Sequence, residues 1–500
     1  MTNSVNVSGK ALINRVPVVA PSMAEGSTES VPADREGRRR AKAVAAAAEK
    51  SEDQTDALGR RSVELSAYFQ GKIETVPKVP VRSLADFALW YTPGVAAVSR
   101  AIHADPDLSF TLTGRWNTVA IVTDGSRVLG LGDIGPRAAL PVMEGKALLF
   151  KFLGGVDALP IPIQVSSPDQ FIATVEALAP AFGGINLEDI ASPKCFGILE
   201  ELQKRLPIPV WHDDQLGTAA ATVAGLLNAL ELTHRSVSEV RTVLLGAGAA
   251  NLVTARLLLA LGHDPKRLTL VDQKGVLYAE RDDVDELMLR NPWKYRIALR
   301  TNGGGRSGDL AAALDGADVL LAASTPNPDT VRPAHIRAMA PEPIVFALAN
   351  PVPEIWPDVA RSAGAAIVAT GRSDFPNQVN NSLVFPAVFR GVLDARARSI
   401  PDEVVLAAAR ELARGANRKG LSAHHLLPTM EEPGVFPEIA AAVGDTAVRL
   451  GIAQNKLSHE EFLERARTMM GRSPRLVRAL ARAHINPPMP RTGSRTRRSR

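Results

Sequence analysis

Cysteine is almost missing from this chain: Cys195 is the only one in 500 residues, so no intrachain disulfide can form, and a reducing compartment is expected. Tyrosine is scarce too, with four in the whole sequence. Long apolar runs are absent. Charge-free stretches such as 216–230 are rich in Ala, Gly and Thr and fall short of the ~20 apolar residues that a spanning helix needs. The opening MTNSVNVSGK lacks a basic region followed by an apolar core, which argues against a secretory signal and for a cytoplasmic address. No internal repeat is found, and no cluster of Cys and His suggests zinc. The net charge of +5 implies little about partners, because Arg491, Arg495, Arg497, Arg498 and Arg500 sit in the last ten residues and the rest is formally neutral. No aromatic interleaving or basic face accompanies that tail, so no specific nucleic-acid binding is expected, and no membrane association either.

The length calls for more than one folded unit, and 45% hydrophobic residues suffice for sizeable cores. Residues 1–60 mix Ser, Glu, Pro and charge, with an Ala-rich helical stretch near 40–50, and read as a disordered arm. Over 61–216, apolar runs such as TVAIVTDG, LPIPIQV and IPVWHDD alternate with helical segments near 141–153 and 168–180. Over 217–470 a more regular series (VRTVLLG, RLTLVD, DVLLAAS, PIVFALAN, AAIVAT) alternates with helices and ends in C-terminal helices. Residues 471–500 read as a basic tail. The expectation is an α/β protein, with one α/β catalytic domain and one Rossmann-like, doubly wound parallel domain.

The most specific local pattern is VRTVLLG running into Gly246-Ala247-Gly248-Ala249-Ala250 and then a helix that stops at Gly262. Gly246 permits a tight turn, Gly248 lets backbone approach a pyrophosphate, and the helix N-terminus meets its charge. Asp272 closes the next strand, where an acid can bind a ribose 2′-hydroxyl; it favours NAD, while Lys274 offsets its repulsion of a 2′-phosphate and keeps NADP open. The third glycine of the fingerprint is Asn251 here. Two acid pairs, Glu188-Asp189 and Asp213-Asp214, end apolar stretches. They can be ligands for a hard cation, Mg2+ or Mn2+, or simply N-caps of the helices that follow, and spacing alone leaves both readings open. Lys146 lies in the apolar helix LPVMEGKALLFKFLGG, where it must pair with an acid or have a lowered pKa; Lys151 fits a snorkelling surface lysine better. Tyr91 precedes a Thr-Pro-Gly turn.

Taken together, YTPGVAAV, VTDGSRVLGLGDIGPRAALPVMEGKALLFK, NLEDI, HDDQLGTA, GAGAA, DQKGVLYAER, ALANPVPEI and GRSDFPNQVNNSLVFPAVFRG resemble the malic enzymes, chiefly the short bacterial type, from about residue 71 to 398 and more weakly to 455. The resemblance implies oxidative decarboxylation of (S)-malate to pyruvate and CO2 with NAD or NADP and Mg2+ or Mn2+. It implies metal ligation by Glu188, Asp189 and Asp214, a general base Lys146 held by Asp213, and a general acid Tyr91. Asn350, Asn381 and Arg127 would contact substrate, and Gly246, Gly248, Ala249, Ala250, Asp272 and Asn350 the cofactor. A homodimer or homotetramer is likewise implied. Leu216 stands where the bacterial pattern has His, a departure like that at Asn251. Two other readings share these residues: a malolactic enzyme releasing lactate, and a nucleotide sensor or scaffold without turnover. A related 2-oxoacid or amino-acid dehydrogenase would need neither the acid pairs nor the metal.

Overall fold

Apolar runs such as TVAIVT, TVLL and IVFA become buried strands, and the strands gather into two sheets. The computed structural model describes residues 57–490. The chain divides into two units, Met1–Tyr68 and Phe69–Arg500. The described part of the first, 57–68, is helical, and both sheets belong to the second. The arm at 1–56, with its Ala-rich stretch, and the final ten residues lie outside the described part.

The first sheet is wholly parallel. It contains β1 (Thr118–Thr123), β2 (Asp157–Pro162), β3 (Gly184–Leu187) and β4 (Val210–His212) in the order β2-β1-β3-β4. Helix α1 (Gly135–Gly154) links β1 to β2, α2 (Pro168–Leu178) and α3 (Lys194–Arg205) supply the next two crossovers, and α4 (Thr218–Leu232) leaves β4. The sequence predicts α1 only from about 141. It begins at Gly135 because Pro136 suits a first turn, where its missing N–H costs nothing, and Pro141 is accommodated inside. Its buried residues Ala139, Met143, Lys146, Ala147, Phe150 and Gly154 recur at helical spacing, so Lys146 lies on the face turned to the core.

The second sheet has the order β10-β9-β8-β5-β6-β7. Its strands are β5 (Thr242–Leu245), β6 (Leu268–Asp272), β7 (Gly275–Val276), β8 (Val319–Ala322), β9 (Ile344–Ala347) and β10 (Ile367–Thr370), and only the β6–β7 pair is antiparallel. The chain leaves β5 towards β6 and then returns to β8 on its other flank. The carboxyl end of β5 is therefore the switch point at which doubly wound sheets bind ligands. Helix α5 (Ala249–Ala260) follows β5, and Gly262 just past its end has φ +92°, the left-handed conformation expected there.

Among the described residues four more helices follow: α6 (Phe385–Asp394), α7 (Asp402–Asn417), α8 (Val435–Arg449) and α9 (His459–Arg482). The sequence assigns them to the dinucleotide domain, but α6 and α9 pack on α1 beside the first sheet. Phe385 and Phe389 meet the Phe150 ring at centroid distances of 4.6 and 5.2 Å, Arg390 donates to Asn117, and Ser473 donates to the Lys151 carbonyl. The reason is that α6 is buried along its whole length, including the paired Arg390 and Asp394, so it needs partners on every side. The expected tail boundary at 471 also moves. Helix α9 continues to Arg482, anchored by Phe462, Leu463, Ala466, Met470 and Ser473. No helix among the described residues is long and apolar enough to cross a membrane.

Candidate active site

Strand register brings the two acid pairs together. Leu187 of β3 lies opposite His212 of β4, so Glu188-Asp189 and Asp213-Asp214 leave the same edge of the sheet side by side. Carboxylate oxygens of Glu188, Asp189 and Asp214 all lie within 4.8 Å of one another. Asp189 has φ +53°, an uncommon conformation for a residue with a Cβ, and its main-chain N–H donates to Asp214 Oδ2 at 2.9 Å. Its own Oδ2 is buried without a hydrogen-bond partner. Burial, and then the Asp214 charge, push the Asp189 carboxyl up to about 7; burial also raises Glu188 well above the usual range, despite Lys146 beside it. Three crowded oxygen donors with spare acceptor capacity fit a hard divalent cation, and these three residues could hold one. The alternative reading of both pairs as simple N-caps fails: Asp213 and Asp214 open one wide π-type turn (Asp213–Gly217), and neither pair caps α3 or α4.

Lys146 reaches this centre from α1. Its ammonium pairs with Asp213 Oδ2 and with Glu188 Oε1, the latter at 2.9 Å, and lies 4.1 Å from the centre of the Phe385 ring. Burial alone would depress its pKa, but Asp213 and Glu188 overcome that and hold it above the ordinary lysine value. Of the two states foreseen for a buried lysine, pairing is the one found. Asp213 is fixed from its other side by Trp211, whose indole N–H donates to Oδ1 at 2.9 Å. Gly217 is close-fitted here: a Cβ on it would overlap Asp213 Oδ1 and stand 3.1 Å from the Asn381 Cβ. Asn381 is thereby placed beside the lysine's partner.

The loop after β1 joins the two sheet edges. The Arg127 N–H donates to the Asp189 carbonyl at 3.0 Å, and a Cβ on Gly130 would lie 3.4 Å from the Asn350 carbonyl oxygen. Arg127 is thus tied to the acid cluster through its main chain, and Asn350 lies against the same loop at Gly130, both residues being exposed. Tyr91 is not brought in. It is 69% exposed, and no described contact joins it to Lys146 or the acids. The cause is local: neither the helical turn at Phe87–Trp90 nor the helix at Val95–Ala104 buries a single residue.

At the carboxyl end of β5, Gly246 has φ +95°, and a Cβ there would overlap the Ala323 carbonyl oxygen. Gly248 has open space around it, so only an approaching ligand would demand glycine. Ala249 and Ala250 begin α5, with their amides at the helix N-terminus. Asn251 does not loosen the helix–strand contact; its Nδ2 donates to the carbonyls of Leu245 and Gly246, both at 2.9 Å, and ties the turn to the strand. Asp272 is enclosed by Arg281, Lys294 and the Lys274 N–H.

Comparison with known proteins agrees with the two-sheet architecture. Residues 70–203 match the malic enzyme N-terminal domain and residues 216–448 the malic enzyme NAD-binding domain. The chain belongs to the malic enzyme family. It is 45% identical over 412 residues to a bifunctional malic/malolactic enzyme of Bacillus subtilis, covering 82% of this chain and 98% of that protein. An NAD-dependent malic enzyme of Geobacillus stearothermophilus is 46% identical over 384 residues, covering 77% of this chain and 78% of that one. The crystal structure of an Entamoeba histolytica malic enzyme superposes with TM-score 0.84 at 42% identity, covering 87% and 91% of the two chains.

Several residues in and around this candidate site escape a reading of the sequence. Asn186 donates to Glu188 Oε2 at 3.1 Å; a lone amide inside the apolar run GGINL was the signal for it. Trp211 was hidden because an indole in a buried strand reads as core. Glu354, fully buried, accepts from the Ser324 N–H at 2.7 Å, the Ser324 hydroxyl at 3.0 Å and the Ala349 N–H at 3.0 Å, locking together the loops that follow β8 and β9. An acid within NPVPEI offered no periodicity to flag it.

Proposed function

We propose that this protein oxidatively decarboxylates (S)-malate to pyruvate and CO2, with NAD or NADP as hydride acceptor. The observation that carries this reading is the union, at one sheet edge, of Glu188, Asp189 and Asp214 with the Lys146–Asp213 pair, next to a dinucleotide switch point. A divalent cation held by Glu188, Asp189 and Asp214 would supply Lewis-acid polarisation and charge stabilisation, and a dinucleotide held at the turn after β5 would supply the acceptor for the C2 hydride with its electron pair. Lys146 receives the C2 hydroxyl proton. In the paired state the lysine is an ammonium. With Glu188 turned to a cation, only Asp213 would oppose deprotonation, and burial would then lower the pKa towards that of a usable base. Cleavage of the C3–C4 bond leaves its electron pair in an enolate, whose C3 takes a proton to give pyruvate.

Tyr91 is the acid we assign to that last proton. Exposed in a single chain, it acts only when its segment is covered. Phe87, Leu89 and Trp90 beside it are exposed apolar side chains, which supports a homodimer or homotetramer. We assign Arg127 and Asn381 to malate, and Asn350 to malate and the nicotinamide end; the Arg127 N–H on the Asp189 carbonyl and the closeness of Asn381 to Gly217 support this reading. Malolactic turnover, named in the Bacillus subtilis relative, is the second reading, since both reactions use the same groups. The test is an assay with malate and Mn2+, with NAD and NADP in parallel, with and without EDTA, measuring pyruvate and lactate. Reduced cofactor formed one-for-one with pyruvate and abolished by EDTA is expected. Lactate without reduced cofactor selects the second reading, and cofactor binding without turnover refutes both.

A further inference from the structure

Asn350 belongs to the loop that follows β9, and that loop is pinned on both sides of it. On one side Glu354 accepts from the Ala349 N–H at 3.0 Å. On the other, Arg372 Nη1 donates to the Pro351 carbonyl at 2.6 Å, reaching over from the loop that follows β10. The Asn350 amide lies on Gly371, where a Cβ would stand 2.5 Å from its Nδ2 and 2.7 Å from the Leu348 carbonyl oxygen, so the residue before Arg372 has no room for a side chain. From the opposite direction comes the loop after β1: a Cβ on Gly130 would lie 3.1 Å from Pro351 Cδ. Pro351 is therefore where the loop next to the acid cluster meets the dinucleotide sheet, and Arg372 fixes it from the sheet side.

Arg372 is itself held in one pose. Its Nε and Nη2 fork onto the two oxygens of Asp374, each at 2.8 Å, and its own N–H donates to Thr370 Oγ1 at 3.1 Å. The guanidinium lies 5.7 Å from the Trp356 ring centre and 5.9 Å from that of Phe375. The hydrogen bonds from Arg372 hold the Asp374 carboxyl below its ordinary value, so the pair is charged at neutral pH. The loop that carries both returns to its own strand, with the Thr370 N–H donating to the Asn377 carbonyl at 3.2 Å and the Val379 N–H to the Thr370 carbonyl at 2.8 Å. A planar guanidinium can grip a carboxylate with one edge and a carbonyl with the other. A lysine ammonium, being a single point of charge, cannot span both in one fixed geometry.

We propose that Arg372 is a positioning residue for Asn350: the fork on Asp374 aims Nη1 at the Pro351 carbonyl, and that bond sets the Asn350 amide against Gly371 in the pose that meets substrate. The inference rests on the oxidative decarboxylation reading and on the role assigned there to Asn350, and adds what holds that residue in place. A misplacement of about 1 Å caused by a residue away from the chemistry costs up to about 10²-fold in rate, which sets the scale of the effect.

Steady-state kinetics of the full-length protein with malate, Mn2+ and dinucleotide, on Asn350→Ala, Arg372→Met and the double variant, tests it, with thermal melting read alongside. Each single variant is expected to lower kcat/KM for malate at least about tenfold, while Arg372→Met costs less than about a further twofold once Asn350 is alanine, because residues that act through one another are not additive. Asp374 is 45% exposed, so losing its partner should leave the melting temperature near that of wild type. Arg372→Lys, which keeps the charge but not the fork, is expected to stay at least about threefold below wild type. Losses that multiply in the double variant overturn the proposal, as does full activity in the lysine variant or a melting temperature that falls in step with activity. Asn350→Ala with wild-type kinetics overturns the role of Asn350 and this proposal with it while leaving the reaction intact, whereas wild-type protein without malate turnover overturns the reaction itself.

Discussion

Replacing Lys146 separates its two roles, as a charge and as a base. In Lys146→Ala, Asp213 and Glu188 lose their cation while both stay buried. Removing one partner of a buried ion pair costs about 3–5 kcal/mol, because the remaining charge is left uncompensated. Some of that loss is recovered when the two acids share a proton, so a value near the lower end is expected without metal. Saturating Mn2+ at about 100 times its Kd would restore about 2.7 kcal/mol. Lys146→Arg keeps the positive charge on both acids but cannot give up its proton. Its denaturation midpoint should stay closer to wild type, while both variants lose malate-dependent kcat by about 10²–10⁴-fold. Urea denaturation with and without Mn2+, read beside steady-state kinetics, supplies both quantities. An arginine variant with turnover within a few-fold of wild type would refute the proton-transfer role. An alanine variant as stable as wild type in EDTA would refute the electrostatic account.

Gly246→Ala forces a Cβ onto the Ala323 carbonyl at φ +95°, so a loss of about 2 kcal/mol or more and weakened cofactor binding are expected by thermal melting and titration. Glu354→Ala leaves the two N–H groups of Ser324 and Ala349 buried without their acceptor, at about 1–3 kcal/mol each, and should raise KM for the dinucleotide more than for malate. Asp272 is depressed from its ordinary value to about 2; the stability it contributes is full above about 4 and is lost as pH falls through about 2. Asp272→Asn should accordingly lose up to about 2 kcal/mol at pH 7, the gap to wild type narrowing in denaturation series taken down to pH 2.5; a gap that does not change with pH would contradict the pairing.

Much of the site was legible because its signals are local. A strand, a glycine turn and a helix are contiguous, so Gly246 and Gly248 could be placed without any tertiary knowledge. The acid pairs stood out as charge at the ends of apolar runs, but whether they were caps or ligands depended on the β3–β4 register, which no single segment encodes. Lys146 was marked by its place in an apolar helix, while its partner Asp213 lies 67 residues away. The packing of the C-terminal helices on α1 was out of reach for the same reason. Amphipathic spacing shows that α6 has an apolar surface, not that α1 covers it. Tyr91 is the opposite case, since a local turn motif drew attention to a side chain that the single chain leaves in solvent.

The two acidic centres of this fold obey one electrostatic rule with opposite outcomes. At the end of β6 the acceptor positions of Asp272 are filled by the chain's own donors, and its carboxyl is held well below the ordinary value. At the ends of β3 and β4, Asp189 keeps an oxygen without a partner, and its carboxyl and that of Glu188 are pushed up. A buried acid is stable as an anion only when its lone pairs are met. The first centre is therefore complete in protein and presents the cations that hold it, so it suits an anion. The second has one lysine against four acids and suits a cation. Chelation should consequently raise the pKa values of the second centre and destabilise it, and leave the first unmoved. Metal titration monitored by thermal melting, with dinucleotide affinity measured at each point, would show metal-dependent stability with unchanged adenosine-end binding if the two centres are independent in this way; a dinucleotide affinity that tracks metal occupancy would show that the loop between Asp189 and Asn350 couples them.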